Sequence, residues 1–339
     1  MPEAILELRN VSKSYAARRG RGRTLRAVAG ASFTLAAGET LGLVGESGCG
    51  KSTLARLALR LIEPDAGTVH VARQDFTGTS AAVTRHLRRR VQIVFQDALS
   101  SLNPRMSVGV NVAEPMRLQG IGSERERRSA ALELLDLVGL QPEHADRYPH
   151  EFSGGQAQRI AIARALILRP DIVVFDEAVS ALDVSIRAQV LRLILDLQQR
   201  FRLAYLFISH DLGVVKRIAD RIAIMYLGHI VELGAAVEVY RAPLHPYTEA
   251  LLAAIPIPDP RRMRVRQLGV VKGEAASSLE AITGCPFRSR CPHRIAVCDQ
   301  ATPELLTAKG QHEVACFLHI PLPHSKGKLH DSQDRRHRF

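Results

Sequence analysis

The sequence predicts an α/β protein built around a buried sheet, and three observations carry that reading. Residues 91–95, 172–175, 203–209 and 222–226 are nearly continuous apolar runs of strand length, the pattern of strands covered on both faces. The apolar run 41–44 ends in a Gly-rich turn that opens directly into the helix-forming run 54–59. Between the runs at 91–95 and 172–175 lies a long stretch of helix formers, including 124–138 and 156–168, which predicts a helical insertion.

In chain order, 5–11 and 31–35 read as short strands before the Gly-rich turn, with an Arg/Gly loop at 18–23 between them. After about Gly234 the alternation stops, and Pro243, Pro246, Pro256, Pro258 and Pro260 mark a loop-rich extension that holds four of the five cysteines. From about 321 onward polar and basic residues dominate without periodicity, so a disordered basic tail is expected.

The net charge of +12 raises the question of nucleic acid. Its excess is split among clusters at 18–26, 85–90, 261–266 and 326–338, there is no Trp, and no run interleaves aromatics with basic residues. Solvated surface or attraction to anionic lipid heads accounts for the charge, and no nucleic-acid partner is expected. No stretch of eighteen residues is free of charge, so no membrane span is expected. The start Met1-Pro2-Glu3 lacks the basic and apolar parts of a signal peptide, and a cytoplasmic location is expected.

The turn is Gly45-Glu46-Ser47-Gly48-Cys49-Gly50-Lys51-Ser52-Thr53, a P-loop in its strand, loop, helix context. Its glycines let successive N–H groups converge on a β-phosphate at the positive end of a helix. Lys51 supplies a point charge for the β- and γ-phosphates, and Ser52 a hydroxyl for Mg²⁺. Cys49 is expected to face away from phosphate, and its position suggests ATPase activity sensitive to thiol alkylation. The apolar run 172–175 ends in Asp176 and Glu177, the arrangement called Walker B. Asp176 is placed to hold Mg²⁺ through its water shell, and Glu177 to polarise a water for in-line attack on the γ-phosphate.

Phe152-Ser153-Gly154-Gly155-Gln156 stands immediately before the helical run 157–168. Between a P-loop and a Walker B strand, it resembles the signature of the ATP-binding cassette (ABC) ATPases. The resemblance implies that Ser153, Gly154 and Gly155, with Gln156, face the γ-phosphate of an ATP held by a partner's P-loop. It further implies that Tyr15 stacks on adenine, Gln96 contacts Mg²⁺ or the attacking water, Asp183 belongs to a D-loop crossing the dimer interface, and His210 bonds the γ-phosphate. The stretches 95–97, 100–105, 176–185 and 245–248 look like the dipeptide/oligopeptide/nickel importer branch, over about residues 6–320, and are most similar to the second ATPase subunit of those importers. Two positions depart from the pattern: Ala98 stands where many relatives have Pro, and Ala157 where many have Arg. Neither is a phosphate ligand, so altered packing or coupling is expected rather than lost hydrolysis.

The fold so implied is an α/β P-loop NTPase of the ABC ATPase type: a mixed sheet core, an antiparallel β subdomain, an α-helical subdomain and a loop-rich, Cys-containing C-terminal extension. The expected division is a nucleotide-binding domain at 1–234 with its helical part at about 97–168, the extension at 235–320 and the tail at 321–339. The resemblance implies two ATPase subunits head to tail, identical or paralogous, two transmembrane permease subunits and an extracytoplasmic solute-binding protein. The chain is then peripheral, on the cytoplasmic face of the membrane.

Cys285, Cys291, Cys298 and Cys316 cluster late in the chain, and in a cytoplasmic protein they argue for a metal over disulfides. Structural zinc sites favour closer pairs than these. Peptide-importer ATPases similar to this chain carry a four-iron four-sulfur cluster on this spacing, held by four thiolates. Zinc, unliganded thiols, and a mixed site completed by His293, His312 or His319 remain as alternatives. Because the extension is Pro-rich and poor in apolar residues, the expected role is a structural staple.

Overall fold

The computed structural model describes residues 3–16, 24–255 and 283–322. The expected loop at 18–23, the basic cluster at 261–266, the three prolines from 256 to 260 and the tail from 323 lie outside the described residues.

Two sheets organise the fold. The first is antiparallel, in the order β2 (Thr24–Ala36), β1 (Ala4–Ala16), β4 (Ala66–Val71), β5 (Gln74–Asp75). β1 and β2 are longer than the apolar runs predict: the added end of β1 is mostly polar and partly exposed, that of β2 includes the buried Val28, and the register between them is irregular near Val11 and Lys13. The second sheet has five parallel strands in the order β9 (Arg221–Tyr226), β3 (Thr40–Val44), β8 (Ala204–Ser209), β7 (Ile172–Asp176), β6 (Val91–Val94). β3 and the apolar part of β7 are buried on both faces, as continuous apolar runs require.

Beyond β9 the same sheet continues antiparallel through β10 (His229–Ala235), β12 (His312–Val314) and β11 (Leu306–Lys309). The late extension is therefore stitched onto the core sheet, with Glu232 and Leu233 of β10 registered against Val314 and Glu313 of β12. Two helices, α9 (Ala236–Arg241) and α10 (Pro246–Ala253), occupy its start.

The helical insertion comprises α3 (Ala98–Ser101), α4 (Val108–Leu118), α5 (Glu124–Leu137) and α6 (Gly154–Leu166). Ser123 and Glu126 form a capping box that starts α5, and Val108, Val112, Ala131, Leu135 and Ile160 are fully buried where α4, α5 and α6 meet. Ala98 and Ala157 are both buried, Ala157 completely, so any larger side chain there must repack its neighbours. The remaining helices include α1 (Lys51–Ala58), α2 (Ala81–Arg90), α7 (Val184–Phe201) and α8 (Leu212–Val215). Among the described residues no helix is long and apolar enough to cross a membrane.

Candidate functional site

The C-terminal ends of β3, β7 and β8 open on one side of the sheet, and the chain leaves each of them through a functional residue. After β3 the Gly-rich turn bends tightly into α1. Its glycines are sterically required: a Cβ on Gly45 would lie 2.2 Å from the Met225 carbonyl oxygen, and one on Gly50, whose φ is 111°, would lie 2.1 Å from that of Ala27. Lys51 opens α1 and is almost completely buried; its Nζ donates to the carbonyls of Gly45 at 2.8 Å and Glu46 at 3.0 Å. The free amides of the first turn of α1 thus stand beside a fixed cation, an anion-binding arrangement.

Ser52 Oγ donates to Asp176 Oδ1 at 3.0 Å, so a hydroxyl and a carboxylate stand side by side at the ends of β3 and β7. Burial pushes the Asp176 carboxyl above the usual carboxylate range, opposed by the Ser52 hydrogen bond. A hydroxyl paired with a half-buried carboxylate offers the oxygen donors that suit a hard divalent cation such as Mg²⁺.

Glu177 follows with φ of 50°, a left-handed backbone uncommon for a non-glycine residue. The conformation is held by its N–H on the Ile208 carbonyl and by the Ser180 hydroxyl on its own carbonyl. Its carboxylate faces Lys51 Nζ at 3.8 Å and hydrogen-bonds His210 Nδ1 at 3.1 Å, His210 leaving the end of β8. Gln96, just after β6, reaches the Ser180 hydroxyl at 3.5 Å. A cleft of about 400 Å³ collects Tyr15, Ser47, Lys51, Thr53, Gln96 and Glu177 on its walls. A larger cleft of about 590 Å³ lies between the antiparallel sheet and the extension, but it contains neither the Gly-rich turn nor the acidic pair.

Cys49 packs into the core beneath the turn, 4% exposed, and burial pushes its thiol up. A shielded, protonated thiol reacts slowly, so the sensitivity to alkylation expected from the sequence has no accessible thiolate behind it.

Ser153, Gly154, Gly155, Gln156 and Asp183 do not line the cleft. Ser153 caps α6 in a reciprocal box with Gln156, with Ser153 exposed and Gln156 half-buried. The approach of α6 to α7 demands Gly155, where a Cβ would lie 2.4 Å from Ile186. Asp183 precedes the first turn of α7 without a side-chain capping bond, and Arg187 on that helix donates to the carbonyls of Ser180 and Leu182 while pairing with Asp211. The signature turn and the Asp183 loop therefore form one exposed surface away from the cleft.

Three contacts to the site escaped sequence reasoning. The Tyr247 hydroxyl accepts the Glu46 N–H at 3.0 Å, the Arg290 guanidinium holds the Glu46 carboxylate through two nitrogens, and Arg187 braces the Asp183 loop. Tyr247 and Arg290 lie 201 and 244 residues from Glu46 in the chain, and no local pattern marks such pairs.

The four late cysteines are all free and share one neighbourhood: the Cys285 N–H donates to the Cys298 carbonyl at 2.7 Å, and Cys285 feels the charge of the other three. Burial pushes the Cys285 thiol up to about 11 and raises Cys291 and Cys316 as well. Among the described residues no group of three or more His, Cys, Asp or Glu side chains is gathered to hold a metal ion, so neither zinc nor a cluster rests on side-chain geometry.

Residues 28–180 match the ABC transporter family, and residues 231–298 match the family described as the oligopeptide/dipeptide transporter C-terminal region. The chain is 49% identical to the di/tripeptide transport ATP-binding protein DppF of Pseudomonas aeruginosa (strain UCBPP-PA14) over 93% of its own length and 97% of the relative's. It is 48% identical to the oligopeptide transport ATP-binding protein AppF of Bacillus subtilis (strain 168), over 94% and 98%. Among solved structures it is similar to the ATP-binding cassette MJ0796, seen as a dimer in a post-hydrolysis state with ADP and Pi. The TM-score is 0.61 at 29% identity, over 68% of this chain and 98% of the other. With this near full-length likeness, and with both family regions in order, the chain belongs to the ATP-binding proteins of the ABC transporters, in the branch that carries the oligopeptide/dipeptide C-terminal region.

Proposed function

We propose that this chain is the ATP-hydrolysing subunit of a membrane importer for peptides or related small solutes, working as one half of a head-to-tail pair of ATPase subunits. The observation that supports it most directly is the division of the site. Lys51, Ser52, Glu177 and Gln96 line one cleft, and Asp176 and His210 join it through hydrogen bonds to Ser52 and Glu177, while the Ser153 turn is exposed outside that lining. Such a chain holds a nucleotide from one side and needs a second subunit's signature to close it. MJ0796, which was solved as a dimer with hydrolysis products, is consistent with that arrangement.

In this reading Tyr15 stacks on the adenine, residues 45–53 cradle the phosphates, and Glu177 takes the proton of the attacking water while His210 orients the γ-phosphate. Mg²⁺ would be held by Ser52 and Asp176, with Gln96 nearby, and would neutralise charge on the β- and γ-oxygens. The nucleotide-binding domain covers 1–234, its helical part at about 97–168 meets two permease subunits, and 235–320 forms the extension. The partner ATPase is a paralogue or a second copy, a solute-binding protein delivers cargo, and the chain sits on the cytoplasmic face of the membrane. Co-purification tests this: the tagged chain should come out of membranes with multispanning partners, and ATP turnover should rise when cargo-loaded binding protein is added. Full activity in a form that never associates with membranes would overturn the reading.

The donor set of the extension, three buried thiols and the half-buried Cys291 without disulfides, fits a four-iron four-sulfur cluster better than one ion, because each thiolate then binds a different iron. Cys285, Cys291, Cys298 and Cys316 would hold it, and it would cross-link an extension whose own core is small. Anaerobic purification should yield about four iron and four sulfide per chain. Zinc, or neither metal, removes the cluster.

A further inference from the structure

We infer that Arg290 is a positioning residue of the nucleotide site: the cysteine-bearing loop delivers it to neutralise the Glu46 carboxylate within the phosphate-binding turn, and so sets how tightly that turn holds an anionic nucleotide. The inference rests on the reading of residues 45–53 as the triphosphate cradle.

A carboxylate is an odd occupant of a phosphate-binding turn, since its charge opposes the ligand. Glu46 lies between Gly45 and Ser47, and its own carbonyl accepts Lys51 Nζ, so its charge cannot move far from the turn. Arg290 answers it with a two-pronged pair, Nη1 to Oε2 at 2.9 Å and Nη2 to Oε1 at 3.0 Å. The Arg290 side chain is 8% exposed and that of Glu46 31%, so water does little to screen the pair. The guanidinium is not there for its own satisfaction. Among the described residues its Nε is buried without a hydrogen-bond partner, and its other contacts include the Tyr226 hydroxyl at 3.4 Å and the Tyr226 ring at 5.8 Å.

The delivery is built in. Arg290 lies between Cys285 and Cys291, and its N–H closes a turn onto the Phe287 carbonyl. Phe287 is 1% exposed and packs edge-on against Tyr226 at 5.2 Å and against Tyr247 at 5.5 Å, the tyrosine whose hydroxyl accepts the Glu46 N–H. The extension therefore grips the main chain of Glu46 through Tyr247 and its side chain through Arg290. Without Arg290 the turn would present an uncompensated anion to the phosphates.

The test is MgADP affinity of the purified full chain by titration calorimetry. Arg290→Ala should weaken binding roughly tenfold, the scale of one uncompensated charge several ångströms from a polyanion at an intermediate dielectric. Adding Glu46→Gln to Arg290→Ala should bring affinity back to within about twofold of the parental chain, because the two lost charges cancel at the phosphates. A merely structural role is not rescued by removing the Glu46 charge, and absence of that rescue, or no loss in the parental background, overturns the inference. Should Arg290→Ala fail to fold, Arg290→Lys and Arg290→Gln carry the comparison: tighter binding by the Lys variant supports it, and equal affinities sink it. Lys51→Ala separates the two readings. If it binds MgADP normally the cradle itself is wrong, whereas loss in Lys51→Ala with normal binding in Arg290→Ala removes only the role of Arg290.

Discussion

Glu177→Gln is expected to lower steady-state ATP turnover by about two to three orders of magnitude while leaving ATP affinity nearly unchanged, the loss proper to a general base that takes a proton only in the transition state. The geometry separates this residue from its neighbour. Asp176 is tied to Ser52, whereas Glu177 turns into the cleft through a left-handed backbone and meets His210 at 3.1 Å and Lys51 at 3.8 Å. A backbone that unusual for a non-glycine residue persists because Ile208 and Ser180 hold both its N–H and its carbonyl. The amide of Gln has the same shape and still reaches His210, so binding survives, but it cannot accept the proton of water. The expected product is an ATP-loaded pair of subunits that stays closed, read as a shift to dimer in size-exclusion chromatography with ATP and as lost phosphate release. Unchanged turnover would refute the assignment of the base, and lost ATP binding would mean that Glu177 shapes the cleft rather than the reaction.

How far the sequence disclosed this site depends on the range of each interaction. The Gly45 to Thr53 turn, the Asp176–Glu177 pair and His210 were legible because each is a local event, a change of chain direction at the end of a buried strand, written in consecutive residues. Their convergence follows from the parallel order of β3, β7 and β8. The hairpin of β11 and β12 was not legible, since every residue of β11 is exposed and its sheet partner β10 lies far back in the chain. Arg290 was invisible for the same reason, being one arginine in a basic sequence until folding brings it across 244 residues to Glu46. The extended reach of β1 was missed because polar residues on an open face carry no apolar signal.

The second large effect is expected at Glu232, outside the cleft, where Glu232→Leu should destabilise the fold by about 4 kcal/mol and lower the melting temperature by on the order of 10 °C. Glu232 is fully buried on β10, and its two oxygens accept three hydrogen bonds: from the Leu244 N–H at 2.8 Å, the His245 N–H at 2.9 Å and His312 Nε2 at 2.7 Å. One carboxylate thus fastens both the start of α10 and strand β12. Removing it leaves two main-chain donors and an imidazole without their acceptor in a region where water cannot replace it. Acid should strain the same knot. Burial, reinforced by the nearby His319, holds His245 down at about 3, and its Nδ1 accepts the Tyr247 N–H at 3.0 Å only while the ring is neutral. Because the folded value lies below the ordinary 6.5, the contribution of His245 is intact above pH 6.5 and is lost as pH falls from there toward 3, about 2 kcal/mol by pH 5. Thermal melts of the parental chain and Glu232→Leu at pH 7 and pH 5 read both effects, and equal melting temperatures for the two chains at pH 7 would refute the role of the carboxylate. Since α10 carries Tyr247 to the Glu46 N–H, the variant should also lose nucleotide affinity, although the damaged contact lies in the sheet extension and not among the residues that line the cleft.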